Sequence, residues 1–370
     1  MSGEPEKRPG MEMSVRPMSD KLCIYYAEEF LMHKDQGMGH PERPERLVTT
    51  TEFLNKSPLH SAINYVRPCD VLLTDVSAVH EMKYVLSIVK GDASMDSDTY
   101  FEGEGTSRAA FCAAGAAVDA VDRALKGRNF SFALVRPPGH HALPHMAMGF
   151  CIFNNAAIAA QHAISKGLKR VIIVDWDLHH GNGTELMFYD RDDVLYFSTH
   201  EYPFYPGTGA LENVGIGKGK GFNVNVPLPE GCADNDYDEA FRSILLPVIL
   251  EYKPELVIVS AGFDIHYDDP LGDMKVTEGG FHNLASLVAS GAREVGANVI
   301  ALLEGGYSLK HLGPSIEAAI YGFCPDVAPM PVALETELKQ QEIPAHAVVG
   351  QKSIENAMKT HSEYWTSLVK

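Results

Sequence analysis

Three side chains that can bind a metal ion lie at alternate positions near the middle of the chain: Asp175, Asp177 and His179. They follow an apolar, β-branched run, residues 170–174, which predicts a buried strand. In extended backbone, side chains two residues apart project to the same side. Two carboxylates and an imidazole suit Zn²⁺, and they are costly to bury unless a cation compensates them. The spacing therefore predicts a metal site. The alternative is an aspartate-rich turn after a strand.

Polar clusters lie at the ends of five predicted strands. The strands comprise residues 131–135, 171–174, 194–198, 255–260 and 298–303. The clusters are Arg136 to His141, Asp175 to His179, Ser198 to His200, Ala261 to Asp264, and Glu304 to Tyr307. Because open α/β sheets bind ligands at the carboxyl ends of their strands, we expect these clusters to converge on one site.

Helix-like segments alternate with the strands. They include residues 155–166, 246–252 and 281–295. Residues 222–226 alternate apolar side chains with asparagine, as a half-buried strand does. This alternation predicts an α/β domain with a mostly parallel sheet and helices on both faces. No linker is visible, so we assign residues 22–370 to one domain and residues 1–20 to a disordered lead-in.

Composition restricts the classes of function. The chain has 370 residues, of which 45% are hydrophobic and 22% charged, as in ordinary soluble domains. A formal net charge of -18 argues against direct binding to nucleic acid or an anionic membrane surface. The acidity could attract a basic peptide or serve solubility alone. No apolar run reaches transmembrane length. Six scattered cysteines without a CxxC pair favour a reducing, cytoplasmic location.

These motifs resemble those of zinc-dependent histone deacetylases of the arginase/deacetylase superfamily. The resemblance is very specific and is carried by residues 40–46, 136–142, 149–155, 175–183, 205–209, 260–264 and 303–307. Trp176 and Asn182 are similar to class II members, since class I members have a leucine and an aspartate there. The resemblance implies a single arginase/deacetylase-type domain with its active site at the carboxyl ends of the strands.

The resemblance also implies the metal ligands. Asp177, His179 and Asp264 would hold Zn²⁺, although this ligand set tolerates Fe²⁺ as well. Three protein ligands leave a position for water and for the substrate carbonyl. Structural K⁺ is a second implied cofactor. One K⁺ site would use Asp175, Asp177, His179, Ser198 and Thr199, and another would use backbone oxygens near Phe188, Arg191, Val194 and Phe222.

Two adjacent histidines and a tyrosine complete the implied catalytic groups. His141 would act as general base and acid, with His140 as its electrostatic partner. Asp175 would orient His140 and Asn182 would orient His141. Because an amide stabilises imidazolium less than a carboxylate does, we expect His141 to be less basic than in class I enzymes. The Tyr307 hydroxyl would donate to the developing oxyanion. Taken alone, these side chains could also be a solvated loop pair and a tyrosine that caps the core.

The resemblance further implies five residues of the substrate tunnel. Gly149, Phe150, Tyr205 and Leu271 would line a passage for an aliphatic side chain. Class II relatives usually have phenylalanine where Tyr205 stands, so a hydroxyl is added to the wall. Polyamine-preferring relatives have glutamate at the position of Leu271, and leucine favours an acyl-lysine. Asp98 would bind substrate backbone at the rim, or would belong to a solvated acidic loop.

We therefore expect a deacylase that hydrolyses N6-acetyl-lysine with metal-activated water. One alternative is a small-molecule amidohydrolase, such as an acetylpolyamine deacetylase. A dimanganese ureohydrolase would need an aspartate where Gly181 stands, and a non-catalytic binding module should have lost a ligand, a histidine or Tyr307. The substrate stays open between an acetylated protein or peptide and an acylated small amine. The residues after Tyr321 could cap the sheet or form a homo-oligomer interface.

Overall fold

The computed structural model describes residues 22–35, 37, 39–127, 130–326, 329–340 and 349–369. The predicted disordered lead-in, residues 1–20, lies outside the described residues. In the described part of the chain, no helix combines the length and the apolar character needed to cross a membrane.

The described residues form one eight-stranded sheet with the order β2-β1-β3-β8-β7-β4-β5-β6, and every neighbouring pair is parallel. Its strands are β1 (Leu22–Tyr25), β2 (Ile63–Val66), β3 (Ser131–Ala133), β4 (Val171–Asp175), β5 (Val194–Glu201), β6 (Asn223–Leu228), β7 (Leu256–Ala261) and β8 (Asn298–Leu303). The predicted α/β fold with a mostly parallel sheet is confirmed.

Helices cover the sheet. They are α1 (Glu45–Leu54), α2 (Leu73–Val76), α3 (Met82–Lys90), α4 (Glu104–Lys126), α5 (Asn155–Ser165), α6 (Asn182–Phe188), α7 (Asp234–Ala240), α8 (Leu246–Tyr252), α9 (Glu278–Val295), α10 (Leu312–Phe323), α11 (Val332–Gln340) and α12 (Gln351–His361). A π-helical turn, Phe241–Leu245, joins α7 to α8.

The central strands are buried along their whole length. Every residue of β4, β5 and β7 is buried, which agrees with the continuous apolar runs that parallel sheets require. The prediction of a half-buried strand near residues 222–226 was wrong, because β6 is buried on both faces. Its polar positions are tolerated because the Asn223 and Asn225 amides both donate to Glu185 Oε2, at 2.7 and 2.8 Å.

The strand register brings the predicted polar clusters to one edge of the sheet. Asp175, the last residue of β4, pairs with Ser198 of β5 on one side and with Ser260 of β7 on the other. Ala261 of β7 in turn pairs with Leu303 of β8. The residues that follow these positions therefore begin at the same height at the carboxyl ends of neighbouring strands.

Helix α4 approaches its neighbours closely through small residues, and Gly115 marks the tightest contact. A Cβ atom on Gly115 would lie 2.3 Å from the Cys69 carbonyl oxygen, which is backbone and cannot rotate away. We expect Gly115→Ala to lower the free energy of unfolding by about 1–3 kcal/mol, measured by urea denaturation.

Gly291→Ala in α9 is the matched control for that substitution. Its Cβ would meet a movable leucine methyl, Leu246 Cδ2, at 2.9 Å. Alanine also improves helix propensity by about 1 kcal/mol, so the stability of this variant should stay near that of the wild type. Equal losses in the two variants would contradict the assignment of the effect to the Cys69 carbonyl.

Candidate active site

Two aspartates and a histidine converge beyond the ends of β4 and β7. His179 Nδ1 lies 3.2 Å from Asp177 Oδ1 and 3.1 Å from Asp264 Oδ2. Tetrahedral Zn²⁺ with ligand bonds of about 2.0–2.1 Å separates its ligand atoms by roughly 3.3 Å. Both aspartates are fully buried. The donor set and its spacing therefore fit a zinc ion.

The second oxygen of each aspartate is fixed by a backbone amide. Gly305 N–H donates to Asp177 Oδ2 at 2.8 Å, and Leu178 N–H donates to Asp264 Oδ1 at 3.0 Å. Burial and the adjacent charge of Asp177 raise the pKa of Asp264 to about 6. Two carboxylates held this close are stabilised by a cation between them.

Asp175 does not belong to this group of three, contrary to the expectation from alternating positions. Strand β4 ends at Asp175, and the chain then turns because Asp177 N–H donates to Asp175 Oδ1 at 3.2 Å. The Asp175 carboxylate faces His140 Nδ1 at 3.1 Å and accepts the Tyr196 hydroxyl at 2.9 Å. The extended geometry assumed for the whole segment therefore holds only up to Asp175.

The two adjacent histidines have different partners and opposite shifts in pKa. His141 Nδ1 lies 2.8 Å from Asn182 Oδ1, and the centroids of the His140 and His141 rings are 4.1 Å apart. Burial, with the neighbouring His140 ring, holds the pKa of His141 well below its usual range. Burial opposes charge on His140 too, but Asp177 and Asp175 raise the pKa of His140 well above its usual value.

Glu304 fixes the loop that carries His140 and His141, a role that the sequence did not reveal. Its Oε2 accepts the N–H groups of Gly139 at 2.6 Å and of His140 at 3.1 Å. Its Oε1 accepts the Ser260 hydroxyl at 3.1 Å. Burial raises the pKa of Glu304 to about 7. The sequence signal was its place in the polar cluster Glu304 to Tyr307, which indicated no role for the carboxylate itself.

The turn that carries Tyr307 is held by two charged side chains. Arg46 Nε donates to the Gly306 carbonyl at 2.7 Å, and another of its guanidinium nitrogens donates to the Glu304 carbonyl at 2.6 Å. The Arg46 guanidinium also lies 4.9 Å from the centre of the Tyr307 ring. Asp269 Oδ2 accepts Tyr307 N–H at 2.6 Å. Burial raises the pKa of Tyr307 well above its usual value, so its hydroxyl stays protonated.

Arg46 is itself held by a buried ion network. Glu42 Oε1 accepts from Arg46 at 3.0 Å, and Arg136 binds both oxygens of the same carboxylate. All three side chains are fully buried. Burial alone would raise the pKa of Glu42, but Arg136 and the other nearby cations lower it to about 2. The network therefore keeps its charges at neutral pH and anchors the tyrosine turn.

A narrow cavity of about 80 Å³ leads to these groups. It is lined by Asp98, His141, Gly149, Phe150, His179, Tyr205, Leu271 and Tyr307. All five residues predicted to contact substrate are in this lining. Gly149 and Phe150 have positive φ angles of 55° and 68°, a conformation that glycine adopts freely and phenylalanine does not.

Two residues predicted to bind K⁺, Ser198 and Thr199, lie on β5 and outside this cavity. Ser198 Oγ pairs with His200 Nδ1 at 2.9 Å. Thr199 Oγ1 is buried and has no hydrogen-bond partner among the described residues.

Comparisons with known proteins agree with this geometry. The histone deacetylase domain model matches residues 40–323. The chain is 38% identical over 353 residues to a probable deacetylase of Archaeoglobus fulgidus, covering 92% of this chain and 98% of that protein. It is also 38% identical to the polyamine deacetylase HDAC10 of Mus musculus, covering 88% of this chain and 50% of that protein. The crystal structure of the HDA15 HD domain matches with a TM-score of 0.84 at 35% identity, over 94% of this chain and 96% of that one.

The fold and the site thus define an amide-bond hydrolase of the arginase/deacetylase type. The chain belongs to the histone deacetylase family. The resemblance predicted from the motifs is confirmed.

Gly305 offers a test of the metal site that does not depend on turnover. A Cβ atom there would lie 2.2 Å from Asp264 Oδ2 and 2.6 Å from Asp177 Oδ2. We expect Gly305→Ala to displace both carboxylates and to weaken Zn²⁺ binding at least about 10- to 100-fold, measured by chelator competition. Ser308→Ala, in the same turn, should keep wild-type affinity. Unchanged affinity in Gly305→Ala would mean that these aspartates do not hold the metal.

Proposed function

We propose that this protein is a zinc-dependent deacylase that removes acetyl groups from the N6 atom of lysine side chains. The main support is the convergence of three side chains that can hold a metal with two histidines and a tyrosine hydroxyl, of which His141, His179 and Tyr307 line one narrow cavity. A straight aliphatic chain with an amide at its end suits such a cavity.

The proposed metal ligands are Asp177, His179 and Asp264. When bound, Zn²⁺ polarises the substrate carbonyl and lowers the pKa of the attacking water. Fe²⁺ remains a second candidate, because two carboxylates and one imidazole suit both ions. In either case the buried aspartates supply negative charge that the cation balances.

His141 is the proposed general base and acid. The side-chain oxygen Oδ1 of Asn182 accepts a hydrogen bond from His141 Nδ1–H, which leaves Nε2 of His141 free to accept a proton. This nitrogen takes a proton from the attacking water and later returns one to the leaving amine. His140, paired with Asp175, carries positive charge beside the reaction and does not itself transfer the proton.

Tyr307 is the proposed oxyanion donor. Its hydroxyl stays protonated, and its ring packs at right angles to Phe150 with centroids 5.9 Å apart. The hydroxyl donates to the carbonyl oxygen as negative charge develops there. Arg46 and Asp269 hold the turn in place. No reorganisation is then needed during the reaction, which is how such donors lower barriers.

An arginase-type dimanganese site does not fit this chain. Such a site needs an aspartate where Gly181 stands, and a Cβ atom on Gly181 would lie only 2.3 Å from Asp175 Oδ2. Acetylpolyamine hydrolysis is the stronger alternative, since one similar protein is named a polyamine deacetylase. Against it stands the apolar side chain of Leu271 at the cavity wall.

Further features of the proposal concern the whole molecule. Residues 22–370 form the catalytic domain, and it acts in the cytoplasm on an acetylated protein, an acetylated peptide or an acylated small amine. Structural K⁺ binds near Ser198 and Thr199, and the buried unpaired hydroxyl of Thr199 supports a ligand there. The C-terminal residues allow a homo-oligomer.

Tyr307→Phe tests the chemistry. We expect kcat on an acetyl-lysine peptide to fall about 100- to 1000-fold while zinc content stays constant, because one oxyanion donor is lost. Tyr26→Phe removes a hydroxyl that bonds only at the surface, to Glu28 at 3.4 Å, and should leave turnover unchanged. If the wild type hydrolyses acetylated polyamines but not the peptide, the lysine assignment is wrong.

Leu271→Glu tests the substrate class. A carboxylate at the cavity wall should attract a cationic amine, so kcat/KM for an acetylpolyamine should rise about ten-fold relative to the acetyl-lysine peptide. Leu271→Gln, similar in size but uncharged, is the control. If the two variants give the same ratio, charge at this position does not select the substrate.

A further inference from the structure

The carboxylate of Asp96 accepts hydrogen bonds from two segments that line the cavity. Its Oδ2 accepts the Gly149 N–H at 3.0 Å and the Tyr205 hydroxyl at 3.1 Å. Its Oδ1 accepts the Thr99 N–H at 3.0 Å. Gly149, Phe150 and Tyr205 all line the cavity, although Asp96 itself does not. The carboxylate thus connects two segments that are distant in sequence.

The Phe150 wall depends on the loop that contains Asp96. Gly149 and Phe150 both have positive φ angles, and the phenylalanine is strained in that conformation. Asp96 bonds the Gly149 amide, and Thr99 Oγ1 accepts the Phe150 N–H at 3.0 Å. A parallel β-bridge between Met95 and Ala147 extends the contact between the Asp96 loop and the segment that contains Gly149. The loop therefore holds the Phe150 backbone in a conformation that it would otherwise leave.

The Tyr205 wall depends on the same carboxylate through one hydroxyl. The Tyr205 ring lies edge-on to His141, with centroids 5.3 Å apart, and 5.9 Å from His179. Burial and the Asp96 charge raise the pKa of Tyr205 well above its usual value, so the hydroxyl remains a donor. A phenylalanine at this position could not make this bond.

We propose that Asp96 and the Tyr205 hydroxyl together form a brace that sets the width of the substrate cavity. Asp96 is a positioning residue, because it acts through Gly149 and Tyr205 and does not contact the substrate. A fixed, narrow passage selects straight aliphatic chains against wider ones. The inference rests on the proposed deacylase function for its substrate, but the brace itself is defined by hydrogen bonds between described residues.

Binding of two hydroxamates to the zinc-loaded full chain tests the brace without requiring turnover. One probe carries a linear alkyl linker, and the other carries a phenyl ring within the linker. We expect Tyr205→Phe and Asp96→Asn each to reduce the preference for the linear probe by roughly three- to ten-fold, measured by calorimetry. Adding Tyr205→Phe to Asp96→Asn should cause little further change, because the Tyr205 hydroxyl has then already lost its carboxylate acceptor.

Kinetics give a second readout that simple loss of stability would not produce. KM for the acetyl-lysine peptide should rise roughly three- to ten-fold in Tyr205→Phe, while kcat stays within about two-fold, because the reacting groups are unchanged. Tyr252→Phe is the matched control: its hydroxyl donates to the Asp192 carbonyl at 3.3 Å, and it does not line the cavity. If Asp96→Asn does not fold, Tyr205→Phe alone tests the brace, because it removes only the hydroxyl and keeps the ring.

The outcomes separate the brace from the proposed function. A wild-type protein that binds the hydroxamates but does not hydrolyse acetyl-lysine would overturn the function, while the ratio of the two affinities would still report on the brace. Unchanged probe preference in Tyr205→Phe would overturn the brace, even in an active deacylase. A changed preference that is additive in the double variant would also overturn it, since Asp96 and Tyr205 would then act separately.

Discussion

The burial of negative charge at the carboxyl ends of the central strands is the constraint on which the rest of the site depends. Asp175, Asp177 and Asp264 are all fully buried. A carboxylate in this position is tolerated only when a cation or strong donors compensate it. Asp175 is paired with His140, whereas Asp177 and Asp264 both lie within 3.2 Å of His179 Nδ1, an arrangement that a bound cation would stabilise. Against the effect of burial, Asp177 and Asp175 also raise the pKa of the neighbouring His140.

The constraint extends outward to the tyrosine turn. Gly305 must lack a side chain because the Asp264 and Asp177 carboxylates occupy its surroundings, and its own amide holds Asp177. The turn that follows is fixed by Arg46, whose charge is balanced by buried Glu42. Preorganised donors lower a barrier only if they do not have to move. A buried ion network, which is costly to assemble but rigid once formed, serves that need.

The sequence predicted the parts of the fold whose signals are local. The continuous apolar runs before Asp175 and Ala261 indicated buried parallel strands, and the register of those strands then brings the polar clusters together. The bond between Glu42 and Arg136 joins residues 94 positions apart, and no local pattern shows it. Strand β6 looked half-buried for a related reason, because the partner of its asparagines, Glu185, lies on another element. Distant polar pairings were expected only where the resemblance implied them, as for Asp175 with His140 and Asn182 with His141. The other distant pairings escaped prediction.

Different hydrogen bonds fix the proposed metal site and the wall of the cavity in this molecule. The aspartates proposed to hold the metal are fixed by backbone amides of the β4 and β8 loops, whereas the Phe150 wall is fixed by the loop around Asp96 and Thr99. The two sets share no hydrogen bond among the described residues. A substitution in the wall would therefore leave the bonds that fix Asp177 and Asp264 in place. This separation gives a physical reason why one fold serves relatives named for different substrates, histones in some cases and polyamines in others.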